Sequence, residues 1–353
     1  LVTAINKILP GNLYLSPAVS LVALAGKKTE ADNTGFQVLK TKLQRPPVWH
    51  DYIERKRITD ELERNLIKPF SLISAGAGYG KSVAVSQWLE NTERIHAWIS
   101  LDEEHNEMRI FLSYLITAIQ QIIPGSMIET EKAIQGTELP AWKDLLYITF
   151  NDLFDLEDEL ILVLDDYHKI SEERIHDFFN EWLSFPPPNI HLSIITRRDP
   201  NLNLNILRLN DRMTEIRMDA LSFSNDEILL LFHKILGVEL KDTEIRLLQE
   251  KTEGWIIALR LATMLVKSSD QLEGILEGLA GGLQNISEYL IAEVLSNLPH
   301  EMQHPILMSS ISNRFCGELL DTIFGSQSKI SGKEMISFLR KSNIFLIDLL
   351  NAA

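Results

Sequence analysis

A glycine-rich stretch at residues 75–82 contains the groups in this sequence best suited to chemistry. It reads Ala-Gly-Ala-Gly-Tyr-Gly-Lys-Ser. Glycines let successive backbone N–H groups turn toward one point, and the positive end of a following helix dipole acts at the same point. A lysine and a hydroxyl add a charge and an oxygen ligand. The stretch therefore predicts a loop that binds the phosphates of ATP or ADP.

The flanking residues have the strand–loop–helix context of the P-loop pattern G-x-x-x-x-G-K-S/T, with Ala75 at its first position. We predict that Lys81 contacts the β- and γ-phosphates and that Ser82 is a Mg²⁺ ligand. A glycine-rich turn that binds nothing is the alternative. The predicted nucleotide-binding residues are Ala75, Gly76, Ala77, Gly78, Tyr79, Gly80, Lys81, Ser82 and Val83.

Two acids follow an apolar run at residues 160–164. Many strands end in a solvated aspartate, but an acidic pair downstream of a P-loop is typical of a Walker B strand. Asp165 is predicted to hold Mg²⁺ through water, and Asp166 to orient or polarise the attacking water. His168 is a minor candidate, since a lone histidine is more often structural.

Arginines follow another apolar run, at residues 191–196. Ligands of open parallel sheets lie at the carboxyl ends of the strands, so Arg197 is predicted to contact the γ-phosphate. A surface arginine paired with a carboxylate is the alternative. Arg208 and Arg212 are weaker candidates for an arginine finger. The predicted catalytic residues are thus Lys81, Asp165, Asp166 and Arg197.

The elements that must position these residues alternate along the chain. Apolar runs predict strands at residues 69–75, 97–101, 160–164 and 191–196, with helices at residues 82–91 and 111–123. This alternation predicts an α/β fold with a parallel sheet covered by helices on both faces. Beyond residue 222 only helices are predicted until an apolar, strand-like run at 344–350; they lie at residues 225–236, 242–251, 255–267, 288–298 and 332–342.

Composition narrows the class of protein. The 353 residues carry a formal net charge of −15, which is a poor match for the phosphate backbone of nucleic acid. The single cysteine, Cys316, excludes an internal disulfide and fits a reducing compartment. No apolar run reaches the roughly 18 to 20 residues that span a bilayer, and the first residues do not have the pattern expected of a secretory signal. We expect a cytoplasmic fragment of a longer protein.

In their order along the chain, several segments resemble the ATPase module of MalT-like, large LuxR-type transcriptional regulators of the STAND class. They are "SAGAGYGKSVAVSQWL", "HAWISLDEEHNE", "LILVLDDYHKI", "ITRRDPNLNLNILRLNDRMTEIRMDALSFSNDE" and "TEGWIIALRLA". The entry segment "LKTKLQRPP" with "IERKRI" is also similar to the family's lead-in. The resemblance covers about residues 36 to 350.

This resemblance implies roles for matching residues. The family's P-loop matches Gly78, Gly80, Lys81 and Ser82, its Walker B pair matches Asp165 and Asp166, and its sensor arginine matches Arg197. Ala75 agrees with the family, whereas Gly76 replaces a common proline. Glu253-Gly254-Trp255 occupies the place of a Gly-x-Pro turn that contacts adenine in relatives, so Trp255 is a candidate for that contact.

The resemblance also implies a domain organisation. An N-terminal helix and linker at residues 1–34, similar to the tail of a receiver domain or matching one by chance, precedes a P-loop nucleotide-binding domain at 35–222. A helical subdomain at 223–292 and the start of a winged-helix domain at 293–353 follow. The family's sensor repeats, nucleotide-sensing histidine and DNA-binding helix-turn-helix are expected outside this chain.

Two functions remain open at this point. The first is a regulatory switch that binds ATP or ADP with Mg²⁺, hydrolyses ATP weakly and forms homo-oligomers in its ATP state. The second is a scaffold that binds nucleotide without turnover. A metabolic kinase ranks last, because no acceptor site is evident.

Overall fold

The structure, a computed structural model, describes residues 38–48, 52–268, 298–309, 315–325 and 330–342. The segment similar to a receiver domain, most of the predicted helix at 288–298 and the apolar run at 344–350 lie outside them. Five strands form one parallel sheet, in the order β2-β3-β4-β1-β5. They are β1 (Phe70–Ser74), β2 (Ile95–Ser100), β3 (Leu160–Asp165), β4 (Ile190–Thr196) and β5 (Met213–Ile216).

Four of these strands were predicted, and β5 was missed. It has only four residues, with the polar pair Thr214-Glu215 at its centre, and it lies at the edge of the sheet beside β1. A run so short and mixed carries little periodic signal. Pairing with β1, from Phe70 opposite Met213 to Ile73 opposite Ile216, makes it a strand.

Residues that alternate along the central strands point into two separate hydrophobic cores. Leu72, Leu162 and Ile194 contribute to one core, whereas their neighbours Ile73 and Val163 contribute to the other. Side chains of a strand alternate between its faces, so a strand covered on both faces is apolar throughout. The continuous apolar runs in the sequence have this origin, and the predicted α/β fold is confirmed.

Helices cover both faces of the sheet. The first core includes side chains of α3, α5 and α6, and the second includes side chains of α1 and α2. In chain order up to β5, the helices are α1 (Lys56–Arg64), α2 (Lys81–Asn91), α3 (Met108–Gln120), α4 (Ile128–Gln135), α5 (Trp142–Phe154), α6 (Glu173–Ser184) and α7 (Leu204–Leu209). Helix α3 begins three residues before its predicted start, because the Glu107 carboxylate accepts from the N–H groups of Arg109 and Ile110 and caps it.

Beyond β5 the described residues form helices only, as predicted. They are α8 (Met218–Leu221), α9 (Asn225–Leu236), α10 (Asp242–Thr252), α11 (Ile256–Ser268), α12 (His300–Ser309), α13 (Gly317–Phe324) and α14 (Gly332–Ser342). Helix α9 has the predicted bounds, since Ser224 and Glu227 form a capping box and Gly237 ends it in the left-handed region. Among the described helices, none combines the length and apolar character needed to cross a membrane.

Candidate nucleotide-binding site

The predicted phosphate-binding loop lies between the end of β1 at Ser74 and the start of α2 at Lys81. Gly78 and Gly80 have φ angles of 77° and 73°, in the left-handed region that glycine adopts without a steric penalty. Gly80 is also the residue that precedes α2. The amino end of this helix therefore faces the loop, where its dipole favours a bound anion.

Lys81 is buried within the loop. Its Nζ donates to the Gly76 carbonyl oxygen at 2.8 Å. Burial and the nearby positive charge of Arg197 together lower the pKa of Lys81 to about 8, although the charges of Asp166 and Asp165 act in the opposite direction. The ammonium group is thus held where a bound phosphate would stabilise its charge.

Ser82 and Asp165 are in direct contact, although 83 residues separate them. The Ser82 hydroxyl donates to Asp165 Oδ1 at 3.0 Å, and the backbone N–H of Asp166 donates to the same oxygen at 2.9 Å. Burial raises the pKa of Asp165, and the charge of Asp166 acts in the same direction. A buried carboxylate of this kind gains from a cation nearby.

This pair of oxygen ligands fits Mg²⁺, which takes few protein ligands and keeps water or phosphate oxygens on the others. Among the residues that the structure describes, no group of three or more histidines, cysteines or acids is arranged to hold a metal. The described residues therefore contain no metal site made mainly of protein carboxylates. A Mg²⁺ site in which a nucleotide completes the ligands Ser82 and Asp165 agrees with the residues present.

Asp166 adopts a strained backbone conformation. Its φ of 58° lies in the left-handed region, which is uncommon for a residue other than glycine. Strain of this kind often occurs at functional sites. The Asp166 side chain is partly exposed, whereas Asp165 beside it is buried, so the two acids have different surroundings. Asp166 therefore remains accessible to water at the carboxyl end of β3.

His168 lies next to Asp166, with its Nδ1 3.8 Å from Asp166 Oδ1. Burial lowers its pKa strongly, and the charges of Arg197 and Lys81 lower it further. The imidazole is therefore neutral at physiological pH. The Arg198 guanidinium donates to the His168 carbonyl oxygen at 3.2 Å and links β4 to this turn.

Arg197 directly follows the end of β4, where Thr196 is in register with Ser74 of β1. This register places Arg197 beside the start of the predicted phosphate-binding loop. Its charge is felt by both Lys81 and His168. The structure thus brings five predicted site residues together at the carboxyl ends of the strands: Lys81, Ser82, Asp165, Asp166 and Arg197.

Comparison with known families adds a finding from another part of the chain. Residues 291–352 match the family model described as the MalT winged helix domain. In this segment the chain is similar to MalT. The resemblance predicted from the sequence motifs is confirmed by a region that contributed only a small part of the motif evidence.

Solved structures similar to this chain include two ATPases from Pyrococcus species. The Walker-type ATPase of Pyrococcus abyssi aligns with a TM-score of 0.55 at 16% identity, over 85% of this chain and 92% of that one. A Signal Transduction ATPase with Numerous Domains (STAND) protein with a tetratricopeptide repeat sensor, from Pyrococcus horikoshii, aligns with a TM-score of 0.47 at 16% identity, over 85% of this chain and 40% of that one. The first alignment confirms the P-loop ATPase fold.

The two weaker arginine candidates differ in position. Arg208 is bound to acids, because its guanidinium donates to Glu215 at 2.8 and 2.9 Å and lies 3.6 Å from Asp199. Arg212 precedes β5 and lines a surface pocket with Pro69 and Asn189. This pocket lies at the amino ends of the strands. The loop at residues 75–80 lies at the carboxyl ends of the strands. The position of Arg212 therefore does not suit the role of an arginine finger.

Sequence reasoning missed the contact of Arg55 with the loop, and it gave Trp255 only as a candidate for a contact with adenine. Arg55 donates to the Tyr79 carbonyl oxygen at 3.4 Å and to the Leu221 carbonyl oxygen at 2.6 Å. The Trp255 indole Nε1 donates to the Ala77 carbonyl oxygen at 3.1 Å. The motifs quoted from the sequence included both residues, but a motif does not specify which backbone carbonyl a distant side chain contacts.

Proposed function

We propose that this MalT-like chain is a nucleotide-dependent switch of the STAND class, which binds ATP or ADP with Mg²⁺ at residues 75–83 and hydrolyses ATP slowly. The contact between the Ser82 hydroxyl and the Asp165 carboxylate, next to the buried ammonium of Lys81, carries the proposal. A glycine-rich turn without a ligand gives no reason to bury a lysine and an aspartate together, since each buried charge costs free energy.

Each residue has a distinct part in the proposed reaction. Lys81 binds the β- and γ-phosphates, while Ser82 and Asp165 hold Mg²⁺, which supplies charge neutralisation on those phosphates. Asp166 orients the attacking water and accepts its proton. As the new bond from water oxygen to γ-phosphorus forms, the bond to the bridging oxygen of ADP breaks, and phosphate and ADP leave. Arg197 stabilises the charge on the γ-phosphate.

The same contacts account for a switch. Only ATP offers a γ-phosphate to Arg197 and Asp166, so ATP and ADP stabilise different conformations and shift the population between them. We propose that the ADP form is monomeric and that the ATP form self-associates. The MalT winged-helix match supports a role in the cytoplasm as part of a bacterial transcriptional regulator. The acidic charge supports a division of labour in which other segments read DNA.

The test is nucleotide binding by Lys81→Ala. Extraction of the purified protein first identifies any nucleotide that copurifies, and calorimetry then measures ADP and ATP affinity in the presence of Mg²⁺. Loss of a charge-assisted contact to two phosphates is expected to weaken binding roughly 100-fold or more. Lys132→Ala is the control, since Lys132 pairs with Glu129 on the surface of α4. Undiminished affinity in Lys81→Ala would contradict the proposal.

A further inference from the structure

The turn between α10 and α11 is held in one conformation. Glu253 and Gly254 both have positive φ angles, 51° and 72°. The backbone N–H of Phe223 donates to the Gly254 carbonyl oxygen at 2.8 Å, and a Cβ atom at Gly254 would lie 2.6 Å from the Phe223 carbonyl oxygen. The turn thus packs backbone against backbone on the segment that follows β5.

This turn directs Trp255 onto the predicted phosphate-binding loop. The indole is buried, and its Nε1 donates to the Ala77 carbonyl oxygen at 3.1 Å. At the next residue, a Cβ on Gly78 would lie 2.9 Å from Trp255 Nε1 and 2.3 Å from Ile257 Cδ1. Two consecutive residues of the loop therefore contact the start of α11, and the second has no room for a side chain.

The hydrogen bond from Trp255 also fixes the direction of a backbone N–H group. The Ala77 carbonyl and the Gly78 N–H belong to one planar trans peptide, so they point in opposite directions. The indole holds the carbonyl toward α11, and the Gly78 N–H consequently points away from α11. Arg55 acts in the same way on the Tyr79 carbonyl, at 3.4 Å, and thereby on the Gly80 N–H. Side chains outside the loop thus orient two of its glycine N–H groups.

We propose that Trp255 is a positioning residue for phosphate binding, because it holds the Ala77 carbonyl and so presents the Gly78 N–H to a bound phosphate. This inference rests on the proposed function, and it assigns to Trp255 a contact with the loop instead of one with adenine. It also couples the helical segment to the ligand. If docking of Trp255 strengthens phosphate binding, a bound phosphate strengthens docking by the same factor.

The test compares Trp255→Phe with Trp88→Phe in the full chain. Both changes keep an aromatic ring and remove one indole hydrogen bond from a buried side chain, since Trp88 Nε1 donates to Glu63 Oε2 at 2.7 Å. Calorimetry measures the affinity for ADP with Mg²⁺. Trp255→Phe is expected to bind roughly 3- to 10-fold more weakly than Trp88→Phe, the loss of one well-placed donor. Equal affinities of the two variants would overturn the inference.

Pyrophosphate, which has no base, separates the two contacts open to Trp255. Its affinity is measured by direct titration of each variant. Replacing a residue that positions the loop weakens the binding of pyrophosphate and of ADP by the same factor. Replacing a residue that contacts adenine weakens the binding of ADP alone. Loss of ADP affinity without loss of pyrophosphate affinity would therefore overturn the inference. If neither the unaltered chain nor Trp88→Phe binds ADP, the proposed function itself fails.

A second pair of variants keeps the test decisive if Trp255→Phe does not fold. Gly78→Ala and Gly80→Ala impose similar backbone strain, because both φ angles lie near 75°. Only at residue 78 would the added methyl group collide with Ile257 and Trp255 and so displace the start of α11 from the loop, whereas the nearest atom to a Cβ at residue 80 is Arg55 Nη1, at 4.0 Å. Gly78→Ala is expected to bind pyrophosphate several-fold more weakly than Gly80→Ala, and equal affinities would count against the inference.

Discussion

At the scale of single residues, burial acts on Lys81 and Asp165 in opposite directions. It lowers the pKa of the lysine and raises that of the aspartate, because in each case it disfavours the charged form. Each group therefore gains stability from a partner of opposite charge: a phosphate for Lys81 and a cation for Asp165. In the proposed complex, Mg²⁺–nucleotide would supply both partners, which supports a role for these two buried side chains in one site.

Asp166 provides a test at this scale. Asp166→Asn keeps the shape of the side chain but removes the carboxylate that accepts a proton, so we expect ATP turnover to fall roughly 100-fold or more while affinity stays within about twofold. Turnover is measured as phosphate release, and light scattering should show the self-associated ATP form persisting in the variant.

The control for this change is Asp158→Asn. Asp158 is an exposed acid two residues before β3, and it thus lies at the amino ends of the strands. Its turnover should equal that of the unaltered chain. An unchanged hydrolysis rate in Asp166→Asn would move the water-orienting role to another residue. Tight binding by the unaltered chain without any turnover would favour a nucleotide-binding scaffold instead.

At the scale of elements, β4 shows how the sheet accommodates polar side chains within its core. His191 is buried, its Nδ1 lies 2.7 Å from the Lys68 carbonyl oxygen and its Nε2 lies 2.8 Å from the Ser71 hydroxyl. A carbonyl only accepts, so Nδ1 carries the proton and Nε2 accepts from Ser71. The neutral imidazole thus joins β4 to β1 and to Lys68, two residues before β1.

This arrangement predicts a pH dependence of stability. Burial lowers the pKa of His191 to about 4, while the unfolded chain has a value near 6.5. Below pH 6.5 the unfolded state binds the proton first, so stability is full above that pH and falls as pH drops toward 4. The loss amounts to about 3 kcal/mol.

Urea unfolding at several pH values measures this loss. Over the interval from pH 6.5 to 4, His191→Gln should lose about 3 kcal/mol less stability than the unaltered chain, because glutamine does not titrate. His233→Gln serves as the control, since His233 is exposed on α9. A His191→Gln profile parallel to that of the unaltered chain would contradict the assignment of a buried neutral histidine.

At the scale of the whole molecule, Arg55 joins three segments that are distant in sequence. Its buried guanidinium donates to Tyr79 and Leu221, lies over the Phe223 ring at 4.8 Å and has its Nε 3.7 Å from Glu227. The residue before α1, the loop after β1 and the segment that leads into α9 therefore meet at one side chain. Burial lowers the pKa of Arg55 to about 10, which still leaves it charged at physiological pH.

Arg55→Lys should reveal the importance of this junction. A lysine lacks the planar fork of donors, so carbonyl oxygens and the Glu227 carboxylate would lose buried partners, and we expect the free energy of unfolding to fall by about 2 to 3 kcal/mol. Arg57→Lys is matched, because Arg57 binds the same Glu227 at 3.1 Å from a more exposed position, and should cost less than about 1 kcal/mol. Chemical denaturation compares the two. Equal losses would show that Arg55 is not specifically required.

Local residue patterns predicted much of this protein. The predicted phosphate-binding loop, its flanking strand and helix, the acidic end of β3 and the capped helix α9 follow from neighbouring residues, because glycine conformations, strand burial and helix caps depend on residues a few positions apart. These signals also sufficed for the α/β fold and for the resemblance to MalT-like regulators, which the family match at residues 291–352 confirms.

Which distant residues meet depends on the packing of the whole chain. The strand order β2-β3-β4-β1-β5 brings the carboxyl ends of β3 and β4 to the loop after β1. Pairing with β1 stabilises the four-residue β5. Arg212 lies at the amino ends of the strands, away from that loop. The contacts of Arg55 and Trp255 with loop carbonyls likewise depend on packing over long separations in sequence. A backbone carbonyl is chemically the same at every residue, so no local pattern indicates which one a distant side chain will bind.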